Sequence, residues 1–175
     1  MSSLLKRLGI KHKVIETPKD GNCFYWAFIA ALDLDSTPEK LRKIVDSKLT
    51  ENEHEILLAI NSGDIESRWA DEIDILALLR YYNYVDLIII DNIHQSLIRL
   101  KPKNKEMTKT VLVSYSASEL HYSSVELSRK DKEYITKIFK TQYKKIEDSN
   151  NNVVVLTATL TIILFMVPLL TKSTK

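Results

Sequence analysis

The sequence predicts an α+β domain in which a small β-sheet is flanked by helices, one of them opening on the chain's single cysteine. Three observations carry this reading. Between residues 24 and 83 apolar side chains recur at helical spacing; between 84 and 127 short β-branched runs are separated by polar turns. A turn-rich stretch, Thr17-Pro18-Lys19-Asp20-Gly21-Asn22-Cys23, runs directly into the apolar FYWAFIAAL.

The elements follow in order. The N-terminus MSSLLKRLGIKHKV starts basic but has no long apolar run, so it does not read as a secretory signal; it reads as a leader in which His12 is solvated. Asn22 is a suitable N-cap for a buried helix over Phe24 to Leu32, placing Cys23 in its first turn. Ser36-Thr37-Pro38-Glu39 is a helix start, after which Leu41, Ile44, Val45 and Leu49 mark one apolar face. Ile56, Leu57, Leu58 and Ile60 form another before Asn61-Ser62-Gly63-Asp64 closes the segment. Ser67-Arg68-Trp69-Ala70 then leads into a helical run whose core side is expected at Ile73, Leu76, Ala77 and Tyr81. Strands are expected at Tyr84 to Ile90, His94 to Leu100, Lys109 to Tyr115 and His121 to Leu127. From Arg129 to about residue 147, Lys residues alternate with Ile135, Ile138, Phe139 and Tyr143, the pattern of a covering helix.

The chain has 175 residues, 25 Lys plus Arg against 23 Asp plus Glu, and one Cys. Balanced charge argues against a nucleic-acid binder, and a lone cysteine excludes both an internal disulfide and a Cys-rich zinc module. Nothing in the residues asks for a metal or an organic cofactor. Nearly all the charge lies in residues 1–149. From Val153 to Leu170 the chain carries no ionised group over 18 residues, a run about 27 Å long as a helix. The expectation is therefore a single transmembrane tail anchor at 153–170, behind the polar hinge EDSNNN, with the 1–149 domain facing the cytosol as a monomer. The competing reading of VVVLTAT is a strand of the domain itself.

Cys23 is the candidate nucleophile. At a helix start, unpaired N–H groups and the positive end of the dipole favour a thiolate, and the amides of Gly21 and Asn22 can face a developing oxyanion. A thiol protease also needs an imidazole to take the thiol proton and return it to the leaving amine. Four histidines are available. His12 sits in the leader, His54 in the Glu-rich ENEHEI and His94 behind a buried strand, while His121 opens a strand after a small polar loop. Residue context alone leaves His121 level with the other three together.

Asp20-Gly21-Asn22-Cys23-Phe24-Tyr25, followed by Ala27, resembles the nucleophile motif of the ovarian tumour (OTU) family of cysteine proteases, most of which are deubiquitinases. Ser67-Arg68-Trp69-Ala70 stands where that family has a Trp-led helix. The strand at Lys109 to Tyr115 leads through SASEL to His121-Tyr122-Ser123, where the family has its histidine followed by an aromatic residue. The similarity spans residues 13–127 and implies a papain-like OTU-type fold, with Cys23 and His121 as the catalytic pair. In the family a carboxylate or amide usually stands two residues beyond the histidine; here that position is Ser123. Some members use an acid upstream of the cysteine, for which Asp20 is the counterpart; its other reading is a turn-former. Implied by the resemblance are cleavage of isopeptide-linked ubiquitin, ubiquitin or polyubiquitin conjugates as partners, and a ubiquitin contact near Ile60 to Ile65. The alternatives are a weak or inactive ubiquitin-binding adaptor and a protease for a ubiquitin-like modifier.

Overall fold

The computed structural model describes residues 3–60, 69–102, 108–116, 119–141, 144–147 and 153–159. Its elements are α1 (Ser3–Arg7), β1 (His12–Ile15), α2 (Cys23–Leu32), α3 (Pro38–Asp46), α4 (Glu51–Ile60), α5 (Glu72–Tyr81), β2 (Val85–Asp91), β3 (Ser96–Pro102), β4 (Lys109–Ser116), β5 (His121–Leu127), α6 (Arg129–Thr141), β6 (Lys144–Glu147) and β7 (Val153–Thr159). The strands form one sheet in the order β1-β5-β4-β2-β3-β7-β6. At its centre β2 and β4 are parallel, running from Val85 opposite Lys109 to Asp91 opposite Tyr115. The other pairs are antiparallel.

Alternation along the strands divides the core into two layers. Leu87, Ile89, Val111 and Val113 face α2, α3 and α5, where they meet Phe24, Phe28, Leu41, Val45, Ala77 and Leu78. Ile88, Ile90, Leu112 and Val125 face the opposite side, against Leu4 and Leu5 of α1 and Ile135, Ile138 and Phe139 of α6. Both faces of β2 are covered, which is why VDLIIID is apolar on both sides apart from its two acids, Asp86 and Asp91. Asp86 is buried within that run. A buried carboxylate must be paired, and Arg99 on β3 supplies two hydrogen bonds of 2.8 and 2.7 Å, with Thr110 adding a third.

Several expectations need correction. The N-terminal leader is part of the domain: Leu4 and Leu5 are fully buried, and His12 lies on β1 opposite Leu127 with its Nδ1 3.0 Å from the Ile10 carbonyl. In α4, Leu57 is buried whereas Ile56 and Leu58 are exposed, so only one of the consecutive apolar residues reaches the core. The buried side of α5 is Asp74, Ile75, Ala77, Leu78 and Leu79, with Tyr81 outside. A capping box between Asp71 and Asp74 starts this helix, and Asp74 also accepts a hydrogen bond from the Tyr25 hydroxyl at 3.2 Å. Those bonds hold the Asp74 side inward and rotate the helix away from the face that apolar spacing selects.

The membrane-helix expectation is corrected over its first part. Val153 to Thr159 is a strand, paired antiparallel with β3 from Pro102 opposite Val153 to Ser96 opposite Thr159. Three consecutive valines and alternating threonines suit extended backbone, and β3 offers an open row of amide and carbonyl groups that β7 satisfies. The covering helix ends at Thr141, and 144–147 form β6 on the far side of β7. No helix among the described residues is long and apolar enough to cross a membrane. Residues 160–170 of the expected anchor, and 61–65 of the expected ubiquitin contact, lie outside the described residues.

Two predictions follow from this architecture. Arg80 of α5 bonds Glu53 of α4 through both carboxylate oxygens, and those bonds hold the Glu53 carboxyl down at about 2 although burial opposes them. A depressed folded-state pKa stabilises the fold above the ordinary value of 4.5 and ceases to do so as pH falls toward about 2. Thermal melts of Glu53→Gln should therefore show a lower Tm than wild type at neutral pH and a flatter pH dependence between about 4.5 and 2. A chain ending at Asn150 uncovers the outer edge of β3, so its Tm should fall. An unchanged Tm, with loss of the chain from a membrane fraction, would instead favour an anchor over the strand.

Candidate active site

The loop between β1 and α2 delivers Cys23. Gly21 has φ 81°, a left-handed conformation that a side chain would strain. Immediately after it the chain enters α2, so Cys23 is the first helical residue, with its N–H among those that have no partner within the helix. The thiol is mostly buried, 7 % exposed, and faces a small cleft walled by Gly21, Trp69, Ala70, Tyr115, Leu120 and Tyr122. Trp69 precedes α5 and is 52 % exposed at the cleft's rim, with its indole nitrogen near Gly21.

Polar groups of the loop are committed to one another. One carboxylate oxygen of Asp20 accepts the Asn22 N–H at 2.9 Å and the other accepts the Trp26 indole N–H at 3.0 Å. Slight desolvation pushes the exposed Asp20 carboxyl up, but the bonds from Trp26 and Asn22 outweigh it and hold the group below the ordinary carboxylate range. This is the geometry of the turn-forming reading of Asp20. It also removes the Asn22 amide from the set facing the cleft. Asn22 makes no side-chain cap; its Oδ1 instead accepts two hydrogen bonds from Arg42 of α3, at 3.0 and 2.9 Å. Arg42 also lies over the Tyr25 ring at 4.7 Å, tying α3 to the start of α2.

His121 is the first residue of β5, directly after Leu120, whose φ is 47°. Its two chain neighbours, Leu120 and Tyr122, line the same cleft as Cys23. Tyr122 meets Phe24 edge-on at 5.3 Å and Tyr115 at 4.7 Å. Burial pushes the Tyr122 hydroxyl up, with Tyr115 and Cys23 adding to the effect, so the phenol is neutral at physiological pH. The imidazole of His121 is 5 % exposed, and its Nε2 lies 3.1 Å from Thr17 Oγ1. Among the described residues the ring's hydrogen bond is to Thr17 and not to Cys23. The Thr17 hydroxyl itself donates to the Tyr122 carbonyl. Ser123 is turned elsewhere, donating to Glu16 at 2.9 Å. A second clasp joins the two loops, since Lys19 and Glu119 form an ion pair of 2.7 Å.

The remaining histidines have other surroundings. His54 is exposed on α4. His94 precedes β3 in a turn, 74 % exposed, with its Nδ1 2.6 Å from the Asp91 carboxylate. Among the described residues no group of three or more His, Cys, Asp or Glu is placed to hold a metal ion.

Thr17, Glu16, Trp26 and Arg42 all bond to the candidate site residues without having been singled out by sequence reasoning. Thr17 and Glu16 reach partners 104 and 107 positions away, so no local spacing reveals them. The bond from Trp26 to Asp20 spans only six residues and was within reach of a helix-start argument.

No family model and no curated protein matches the sequence. Solved structures do resemble it. An OTU domain determined in complex with ubiquitin superposes with a TM-score of 0.53 at 15 % identity, covering 67 % of this chain and 70 % of that one. An OTU deubiquitinase from Wolbachia pipientis wMel gives a TM-score of 0.48 at 17 % identity, over 71 % and 96 % of the two chains. The chain thus shares the fold of that OTU domain.

Proposed function

We propose that the chain is a thiol-dependent ubiquitin hydrolase with Cys23 as nucleophile and His121 as general base and acid. The observation that carries this reading is the cleft: Cys23 at the start of a buried helix, with both neighbours of His121 lining the same walls, in a domain of OTU fold. That similar OTU domain was solved with ubiquitin bound, which supports ubiquitin as the partner here.

In the proposed reaction His121 takes the Cys23 proton and the sulfur attacks the carbonyl that links the ubiquitin C-terminus to a lysine. The negative charge that develops on the carbonyl oxygen is met by backbone N–H groups at the start of α2, with the Cys23 amide the best placed. The imidazolium returns its proton to the departing lysine amine, leaving a thioester. Water, deprotonated by the same ring, then releases ubiquitin and restores the thiol. The narrow cleft between Gly21 and the rim at Trp69 suits a slender acyl chain, as the terminal glycines of ubiquitin are. No cofactor takes part in these steps.

One observation favours a second reading, a ubiquitin-binding adaptor: the His121 ring is bonded to Thr17 and not to the sulfur. Catalytic hydrogen bonds are often formed only once substrate is bound, so hydrolysis remains the primary reading. A membrane tether through 153–170 is an addition that hydrolysis does not need, and it would require Val153 to Thr159 to leave β3.

Turnover of a fluorogenic ubiquitin substrate distinguishes the two readings. Wild type should hydrolyse it, and Cys23→Ala and His121→Ala should each abolish the activity while still binding ubiquitin. Binding without turnover in wild type would establish the adaptor. Ser123→Ala should leave kcat/KM within about threefold of wild type, because its hydroxyl serves Glu16 and not the ring. Asp20→Ala should lower kcat/KM about tenfold or more by loosening the loop that presents Cys23, with little change in Tm because the residue is exposed.

A further inference from the structure

The position that a carboxylate or amide would occupy two residues beyond the histidine holds a serine turned toward Glu16, and the Asp20 carboxylate is taken by Asn22 and Trp26. Both groups that sequence reasoning offered as supports for His121 are therefore engaged elsewhere. The ring nevertheless has a polar partner, and that partner's protonation can be worked out. A carbonyl oxygen can only accept, so the hydrogen bond between Thr17 and the Tyr122 carbonyl uses the hydroxyl proton. What Thr17 Oγ1 presents to His121 Nε2 at 3.1 Å is then a lone pair, and Nε2 must be the protonated nitrogen.

We propose that Thr17 is the positioning residue of His121, fixing the ring in the tautomer protonated on Nε2 so that Nδ1 carries the free electron pair that receives the Cys23 proton. The kinetic consequence rests on the hydrolase reading; the tautomer does not. On proton transfer, the S–H bond breaks and an Nδ1–H bond forms, giving thiolate and imidazolium. Nε2–H keeps its bond to Thr17 throughout, and the positive ring strengthens it. Backbone anchoring is what makes a hydroxyl adequate here. Thr17 lies two residues beyond the end of β1, whose Ile15 pairs with Ser124 of β5, and the Tyr122 carbonyl one residue beyond the histidine holds its hydroxyl in a single orientation. With the hydroxyl fixed, the ring has little freedom to rotate, a constraint reinforced by its near-complete burial. The single neutral acceptor also differs from a carboxylate in leaving the imidazolium without a compensating charge, so the thiolate–imidazolium pair should form less readily than in an acid-supported triad.

Three measurements on the full chain test this. Nitrogen-15 spectra of wild type should show His121 as the Nε2–H tautomer at neutral pH, and Thr17→Val should show a mixture of the two tautomers. Alkylation of Cys23 by iodoacetamide at neutral pH should be slower in Thr17→Val than in wild type and recover in Thr17→Ser. Hydrolysis of the ubiquitin substrate should fall about ten- to hundredfold in kcat for Thr17→Val with KM unchanged, the effect of one lost hydrogen bond to a charged ring. Thr17→Ser should stay within about threefold of wild type. An Nδ1–H tautomer in wild type, or a Thr17→Val variant that alkylates and titrates as wild type does, would overturn the proposal. If Thr17→Val fails to fold, Thr17→Ala carries the same three comparisons. If wild type folds but turns over no ubiquitin substrate, the hydrolase reading fails, and the tautomer and alkylation profiles still decide the role of Thr17.

Discussion

The constraint on which the site depends is the contact between the start of α2 and the start of β5, made by Phe24 and Tyr122. The two rings meet edge to face, and Tyr115 on β4 packs against the second of them. Pairs of this kind contribute about 0.5–1.5 kcal/mol beyond the apolar area they bury. Their larger effect is geometric. Phe24 follows Cys23 and Tyr122 follows His121, so the packing of these two residues sets the start of α2 beside the start of β5. The candidate site residues are thus displaced by one position from the residues whose rings pack together.

Hydrogen bonding then decides which polar group does what. Around Cys23 the loop is closed on itself by Asp20, Asn22 and Trp26, and fastened to α3 by Arg42. Around His121 the loop is fastened by Thr17 and by the Lys19–Glu119 pair. The same six-residue segment, from Thr17 to Asn22, therefore makes contact with α3, with β5 and with its own helix. Thr17 and Ser123 each give their one hydroxyl proton to another acceptor and keep lone pairs, so direction separates them: the Thr17 oxygen lies 3.1 Å from His121 Nε2, whereas Ser123 is turned to Glu16 and Asp20 to Asn22 and Trp26.

How much of this was legible in the sequence depended on the range of the interaction. The helix that opens on Cys23 and the four strands between 84 and 127 follow from turn chemistry and β-branched runs, and the structure has them within one or two residues, except that the third-from-last begins at Ser96 because Asp91 binds His94 into a turn. The inward face of α5 was misread because apolar spacing cannot anticipate that Asp74 is buried by a bond to Tyr25, 49 positions away. The stretch beginning at Val153 was misread for a different reason. Length and lack of charge suit a membrane helix and a protected strand equally, and only the open edge of β3, a property of the assembled sheet, distinguishes them. Buried partners such as Arg99 for Asp86, and Thr17 for His121, were invisible because they come from distant segments, although the need for a partner to Asp86 was implicit in an acid set within an apolar run.

The central claim is that the one thiol of this chain is a ubiquitin-directed nucleophile activated by His121. Intact-mass analysis after incubation with ubiquitin bearing a C-terminal electrophile tests it most directly. The account predicts a single adduct on the folded wild-type chain, mapped to the peptide containing Cys23, abolished in Cys23→Ala and strongly slowed in His121→Ala. A folded wild type that forms no adduct, or a His121→Ala variant labelled at the wild-type rate, would contradict it.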